Sequence, residues 1–151
     1  TETGYLGDRN LNEALALEVA RDRAYGEAGL TSPLTQIDVA ELTDVSPYQE
    51  LMVSDVLGLS ARADWETDVA SGLFSADSNL PVNPSGGVLC FNPVFCTGLI
   101  RIAEAANQIR GCAGKHQVSG AKTALAHAAS GFAMMYQCVL ILGAEPTGEI
   151  A

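Results

Sequence analysis

The stretch from Pro81 to Gly98 restricts what this chain can fold into more than any other. Pro81, Pro84 and Pro93 break an otherwise apolar run, Gly86 and Gly87 stand side by side, and a periodic apolar pattern begins at Leu99. Proline fixes φ and pushes the preceding residue toward extended backbone, which narrows the choices of Asn83 and Asn92. Adjacent glycines admit positive φ and close backbone approach. A rigid, irregular loop that feeds a helix N-terminus points several unpaired N–H groups one way. Such a loop is either a tight connection between buried elements or one wall of a site.

Upstream, the pattern is helical from Leu11, with Leu11, Leu15 and Val19 as an apolar stripe and Ala14, Ala16, Ala20 and Ala24 beside it. Gly26 or Gly29 ends that helix, and Thr31-Ser32-Pro33 makes a turn. Gln36 to Leu42 reads as a strand, with Asp38 and Glu41 suggesting a sheet edge or end. Ser46-Pro47-Tyr48-Gln49 is a helix start: Ser46 as N-cap, Pro47 in the first turn, Gln49 closing a capping box. Tyr48, Leu51, Met52, Val56 and Leu57 give that helix its buried side. Thr43-Asp44-Val45 therefore falls between a strand end and a helix start, a common place for sites in α/β folds.

Ser60 to Asn79 is the least regular part, with Trp65 as its anchor into the core. After the central loop, Leu99, Ile102, Ala103, Ala106 and Ile109 repeat at helical spacing and Arg110-Gly111 ends the run. Lys122–Ala129 and Phe132–Leu142 read as strands separated by Ser130-Gly131, and Val139 to Leu142 is apolar on both faces, as in a buried strand. The sequence predicts an α/β fold with a mixed sheet in one domain, 1–151, with residues 1–10 as a lead-in and 144–151 as a tail.

Eighteen acidic residues against eight basic ones give a formal charge of −10 with no Lys/Arg cluster, which argues against nucleic acid and anionic membrane as partners. No stretch is long and apolar enough for a membrane span, and residues 1–8 lack a basic-then-apolar export signal, so a cytoplasmic location is expected. Cys90, Cys96, Cys112 and Cys138 lack the paired spacing of a zinc site. They are read as buried, reduced thiols, and no metal or prosthetic group is expected.

Several ordered motifs resemble the C-terminal half of a thiolase-superfamily enzyme of the lipid-transfer (sterol-carrier) type, acetyl-CoA acetyltransferases included. They are Asn83-Pro84-Ser85-Gly86-Gly87, Asn92-Pro93 with Thr97-Gly98, Ala113 to Val118, and Ala124-Leu125-Ala126-His127. Ala24-Tyr25, Ala28-Gly29 and Asp38 to Asp44 fit the same pattern upstream. The resemblance implies a mixed five-stranded sheet packed between helices. It also implies a nucleophilic cysteine in an N-terminal half that has no counterpart in these residues.

Where the family has a His-Asp-Cys-Phe segment and a Gly-His-Pro segment, this sequence has Thr43-Asp44-Val45-Ser46 and Phe91-Asn92-Pro93. Neither Thr43 nor Asn92 is a base near pH 7, and Val45 has no acid–base chemistry. Asn92 can still donate an N–H to an enolate oxygen. His127 near the usual Cys-x-Gly loop is either catalytic or a neutral histidine bonded to backbone. Cys96 is either a replacement acid or base at a helix start or a small buried side chain, and Phe95 would narrow a substrate tunnel. Ser85, Gly86, Gly87, Thr43 and Asp44 form the substrate and oxyanion loop in this reading. Tyr48 and Tyr136 are phenolic acids or packing residues, and His116 is a surface residue.

The resemblance implies a subunit or fragment of an enzyme acting on a coenzyme A thioester, by 3-oxoacyl-CoA thiolysis or Claisen condensation, inactive alone. A retro-aldol lyase on an acyl-CoA and a non-catalytic scaffold half are the alternatives. A thiolase N-terminal half or full thiolase-like chain, and a zinc-ribbon/OB-fold companion, are the partners implied in an obligate oligomer.

Overall fold

The computed structural model of the chain describes residue 1 and residues 5–145. Its sheet has three strands, β1 (Val39–Glu41), β2 (Thr123–Ser130) and β3 (Tyr136–Gly143), in that spatial order. β1 runs parallel to β2, with Val39 opposite Ala124, and β2 runs antiparallel to β3, from Thr123 opposite Gly143 to Ser130 opposite Tyr136. The α/β class and mixed pairing agree with the sequence reading. A five-stranded sheet does not form among the described residues. The nearest thing to another strand is a single bridge, Ala40 to Val82. Pro81 withholds the N–H that would continue the pairing on one side of Val82, and on the other the Leu42 N–H goes to the Asn83 side chain, so the bridge does not extend into a ladder.

Successive strand residues point to opposite faces, and each face has its own core. Ala40, Leu125, Val139 and Ile141 face α1 (Leu15–Ala28), which contributes Leu17 and Tyr25 to that layer. Val53 and Leu57, at the end of the helix Pro47–Val56, fill the same layer. Val39, Ala124, Ala126 and Leu142 face the long helix Thr97–Ile109, which adds Ile102, Ala105 and Ile109. Between α1 and the long helix, α2 is Pro33–Gln36, α3 Pro47–Val56, α4 Trp65–Ser71 and α5 Gly87–Cys90, so the long helix is α6.

The local signals hold at several ends. Gly29 takes φ +68° to close α1, and the Ser46 hydroxyl accepts the Gln49 N–H at 3.2 Å to open α3. The lead-in is tied down, since the Arg9 guanidinium donates to the carbonyls of Phe132 and Ala133. Beyond Glu145, the expected tail lies outside the described residues.

The helix faces differ from the sequence reading. Leu11, Leu15 and Val19 are 52%, 53% and 69% exposed, while Ala14, Ala16, Leu17 and Tyr25 are buried. Close approach to the sheet selects the small side of the helix and turns its larger aliphatics outward. On α6 the buried stripe is Thr97, Arg101, Ala105 and Gln108, and Leu99 is exposed. Tyr48 also faces out, packed edge-on to Trp65 at 6.3 Å, with the Arg62 guanidinium 5.3 Å from the indole centre. Trp65 thus belongs to a surface cluster and not to the core. β3 is only half-buried, because α6 covers Leu142 and leaves Tyr136, Cys138 and Leu140 open. All four cysteines are exposed free thiols, contrary to the buried placement expected from their apolar neighbours.

Candidate functional site

The end of β1 and the central loop are stapled together, residue by residue. Asn83, at φ +51°, turns its Oδ1 to accept the Leu42 N–H at 2.6 Å. The Ser85 hydroxyl donates to Glu41 Oε2 at 2.6 Å and the Ser85 N–H to Glu41 Oε1 at 3.2 Å. The Val88 N–H donates to Asp44 Oδ1 at 2.6 Å, satisfying one of the first free donors of α5. Gly87 has φ +62°, and a Cβ there would fall on the Asp44 carboxylate. The pair Gly86-Gly87 is therefore required by close approach, as the sequence suggested: a Cβ on Gly87 would meet Asp44, and one on Gly86, at φ +93°, would lie 2.7 Å from Cys90 Sγ.

Glu41 is fully buried and ion-paired with Arg101 Nη1 at 2.7 Å, which also donates to Ser85 Oγ at 2.9 Å. Arg101 Nε has no hydrogen-bond partner among the described residues. Burial raises the Glu41 carboxyl above its usual range, against the pull of the Ser85 hydroxyl and Arg101. Burial also raises Asp44, against the Val88 N–H, and raises Glu50, with the Asp44 charge adding to the effect. Sequence reading missed this cluster. Glu41 looked like an edge residue, and the available signal was a lone arginine one turn after Thr97 on an apolar helix.

Asn92 is exposed, and its side chain is held in one orientation. Its Oδ1 accepts the Val94 N–H at 3.0 Å and the Thr97 hydroxyl at 2.8 Å. With the carbonyl side committed, the amide NH2 is the face left open, and it has no protein partner among the described residues. Val94 sits at φ +58°, a strained region for a β-branched residue, and the Phe95 N–H closes a tight turn on the Pro93 carbonyl at 2.7 Å. Phe95 is fully exposed, and Cys96 is exposed at the N-cap of α6 without a capping bond from its side chain.

His127 and Thr43 hold each other and are both buried. The Thr43 N–H donates to His127 Nδ1 at 3.3 Å, which fixes the proton on Nε2, and Nε2 donates to Gln137 Oε1 at 2.8 Å. Thr43 Oγ1 donates to the His127 carbonyl and accepts the Ala129 N–H, so its hydroxyl is occupied as well. Burial lowers the His127 pKa to about 4, so the ring is neutral at physiological pH. Asn92 and His127 are not bonded to each other: their partners are separate, Val94 and Thr97 for one, Thr43 and Gln137 for the other. His116, by contrast, pairs with Glu104 at 3.2 Å on the surface side of α6.

Val94 and Thr97, the two residues that hold the Asn92 side chain, line a groove of about 340 Å3 together with the end of β2. Phe95, Leu99, Ile102, Ala128, Tyr136 and Cys138 make most of its apolar lining, with Thr97 and Ser130 among them. Gly98 lets α6 sit against β2 here, since a Cβ would lie 2.7 Å from that of Ala128. Among the described residues no group of three or more His, Cys, Asp or Glu could hold a metal ion, and no helix is long and apolar enough to cross a membrane.

Comparison with known proteins agrees with this geometry. The thiolase C-terminal domain-like family matches residues 4–144. Sterol carrier protein 2 of Homo sapiens is 40% identical over 114 residues, which is 75% of this chain and 20% of that protein. The acetyl-CoA acetyltransferase of Methanothermobacter thermautotrophicus is 34% identical over 92 residues, 60% of this chain and 24% of the relative. Among solved structures, the Ltp2-ChsH2(DUF35) aldolase superposes with a TM-score of 0.73 at 27% identity, over 87% of this chain and 32% of that one. The chain thus spans a third or less of the length of each of these relatives. With nearly all of its length matched, it belongs to the thiolase C-terminal domain-like family, of the sterol-carrier, lipid-transfer type.

Proposed function

We propose that this chain supplies one wall of an enzyme that makes or cleaves a carbon–carbon bond next to a coenzyme A thioester, by 3-oxoacyl-CoA thiolysis or Claisen condensation. The observation that carries the reading is the Asn92 side chain. Its Oδ1 is committed twice, so its NH2 is left open, and the two residues that hold it, Val94 and Thr97, line an apolar groove. In thiolysis a cysteine attacks the 3-oxo carbonyl and the bond between the α and β carbons breaks. Its electron pair moves onto the thioester oxygen as an enolate, and a fixed N–H donor stabilises that charge as it develops. Condensation is the reverse. The nucleophile comes from an N-terminal half outside this chain, and His127, neutral with both ring nitrogens bonded, acts by holding Thr43.

Likeness to an aldolase supports a second reading. In a retro-aldol step the 3-hydroxyl loses its proton, the same bond breaks, a carbonyl product leaves and the same enolate forms. Asn92 serves that step equally, and no acyl-enzyme is needed. That aldolase is named for two components, Ltp2 and ChsH2, and the likeness supports a companion protein beside the N-terminal half. Four free, exposed thiols favour a reducing compartment such as the cytoplasm.

Assaying the full assembly with a 3-oxoacyl-CoA plus coenzyme A, and separately with a 3-hydroxyacyl-CoA, separates the readings. Cleavage of the first supports thiolysis, and cleavage of the second alone supports the lyase. No cleavage of either leaves a scaffold half and overturns the proposal.

A further inference from the structure

Arg101 takes no part in the enolate chemistry, yet it is 1% exposed and bonded across 60 residues of sequence to Glu41. Removing two charges from water offsets most of their attraction, so a buried ion pair of this kind is weak evidence for stability. What it fixes is more informative. Arg101 and Thr97 lie one turn apart on the buried stripe of α6. Thr97 Oγ1 donates to Asn92 Oδ1 at 2.8 Å, and Ser85 Oγ, on the central loop, receives Arg101 Nη1 at 2.9 Å. A continuous chain of contacts therefore runs from β1 through Glu41, Arg101 and the first turn of α6 to Asn92. The Asn92 loop contains a valine in the left-handed region, which relaxes unless its surroundings hold it.

The geometry points to Arg101, held by Glu41 and Ser85, as a positioning residue that sets α6 against the central loop and thereby aims the Asn92 amide. Its catalytic meaning rests on the proposed enolate role of Asn92, while the mechanical link is tested separately. Both bonds use a single nitrogen, Nη1, so a lysine ammonium can replace much of the contact.

The Val94 N–H reports directly on Asn92, because it donates to Asn92 Oδ1. Residue-resolved hydrogen exchange on the full assembly therefore reads the link. Arg101→Met is expected to speed Val94 exchange at least about tenfold, and Arg101→Lys to restore it to within about threefold of wild type. Leu17→Ala, in the opposite core layer and chosen to match the loss of melting temperature, is expected to leave Val94 near wild type. Thr97→Val leaves Arg101 in place and cuts the last link, the 2.8 Å bond to Asn92 Oδ1, together with the longer 3.4 Å contact of the same hydroxyl with the Val94 carbonyl, and is expected to reproduce the Arg101→Met effect. It keeps the test open if Arg101→Met does not fold. Val94 exchanging in either variant no faster than in Leu17→Ala overturns the inference. In the acyl-CoA assay the same variants are expected to lower kcat with KM nearly unchanged. Turnover absent in the wild-type assembly defeats the functional reading instead, and the exchange rates still decide the positioning one.

Discussion

Asn92 and His127 show how one polar residue can keep a donor open while another is consumed by the fold. Asn92 gives its oxygen to the protein and keeps its NH2 outward, whereas His127 gives both nitrogens away. The His127 assignment has a consequence for pH. Its folded pKa, about 4, lies below the unfolded value near 6.5, so the unfolded chain binds the extra proton more readily. Stability from this group is complete above about pH 6.5 and falls as pH drops toward 4, by roughly 3 kcal/mol in all. Glu41, Asp44 and Glu50 are raised by burial and act with the opposite sign, gaining stability as pH falls through their folded pKa values. The His127 slope is therefore read as the difference between wild type and His127→Gln in urea titrations at several pH values. The variant is expected to be less stable at pH 7 and to lose that part of the slope. Identical slopes in the two proteins would contradict the assignment.

At the scale of elements, the central loop works because α5, β1 and α6 approach to contact. Gly87→Ala combines a left-handed φ with a clash against Asp44, and is expected to destabilise by about 2–4 kcal/mol, read by thermal unfolding. Gly111→Ala, at φ +68° with open space around it, separates strain from clash and is expected to lose only about 1 kcal/mol. Much of this was legible in sequence. Paired glycines announced a close approach, Ser46 to Gln49 announced the start of α3, and Thr43-Asp44 does lie between the end of β1 and the start of α3. The buried helix faces were legible only in part, in Ile102 and Ile109 of α6 and in Met52 and Leu57 of the α3 region, and the rest was missed for a physical reason. Periodicity reveals the most apolar stripe, and on α1 and α6 the stripe touching the sheet is set instead by small size, in Ala14 and Ala105, or by internal pairing, in Arg101. Likewise Glu41 reads as polar and exposed until its partner 60 residues away is known.

The whole molecule turns large apolar groups outward on several sides: Leu15 and Val19 on α1, Phe95 and Leu99 beside the groove, Phe132 and Tyr136 at the β2–β3 end. An exposed patch of more than a few hundred Å2 marks an interaction surface in most monomers, and this fits the match to only part of each relative. Leu99→Lys is accordingly expected to weaken assembly with the proposed N-terminal half by about tenfold or more, measured by sedimentation, while leaving the melting temperature of this chain almost unchanged. Equal assembly would remove this face from the interface. The central claim, one wall of a two-part acyl-CoA site with Asn92 as its donor, is tested most directly by α-proton exchange. An acyl-CoA is incubated in D2O with this chain, with the N-terminal half, with both, and with both carrying Asn92→Ala, and deuterium at the α carbon is followed by mass. Exchange with both parts only, reduced about 100- to 1,000-fold by Asn92→Ala, is the predicted result. Exchange that needs no second part, or that survives Asn92→Ala unchanged, would contradict it.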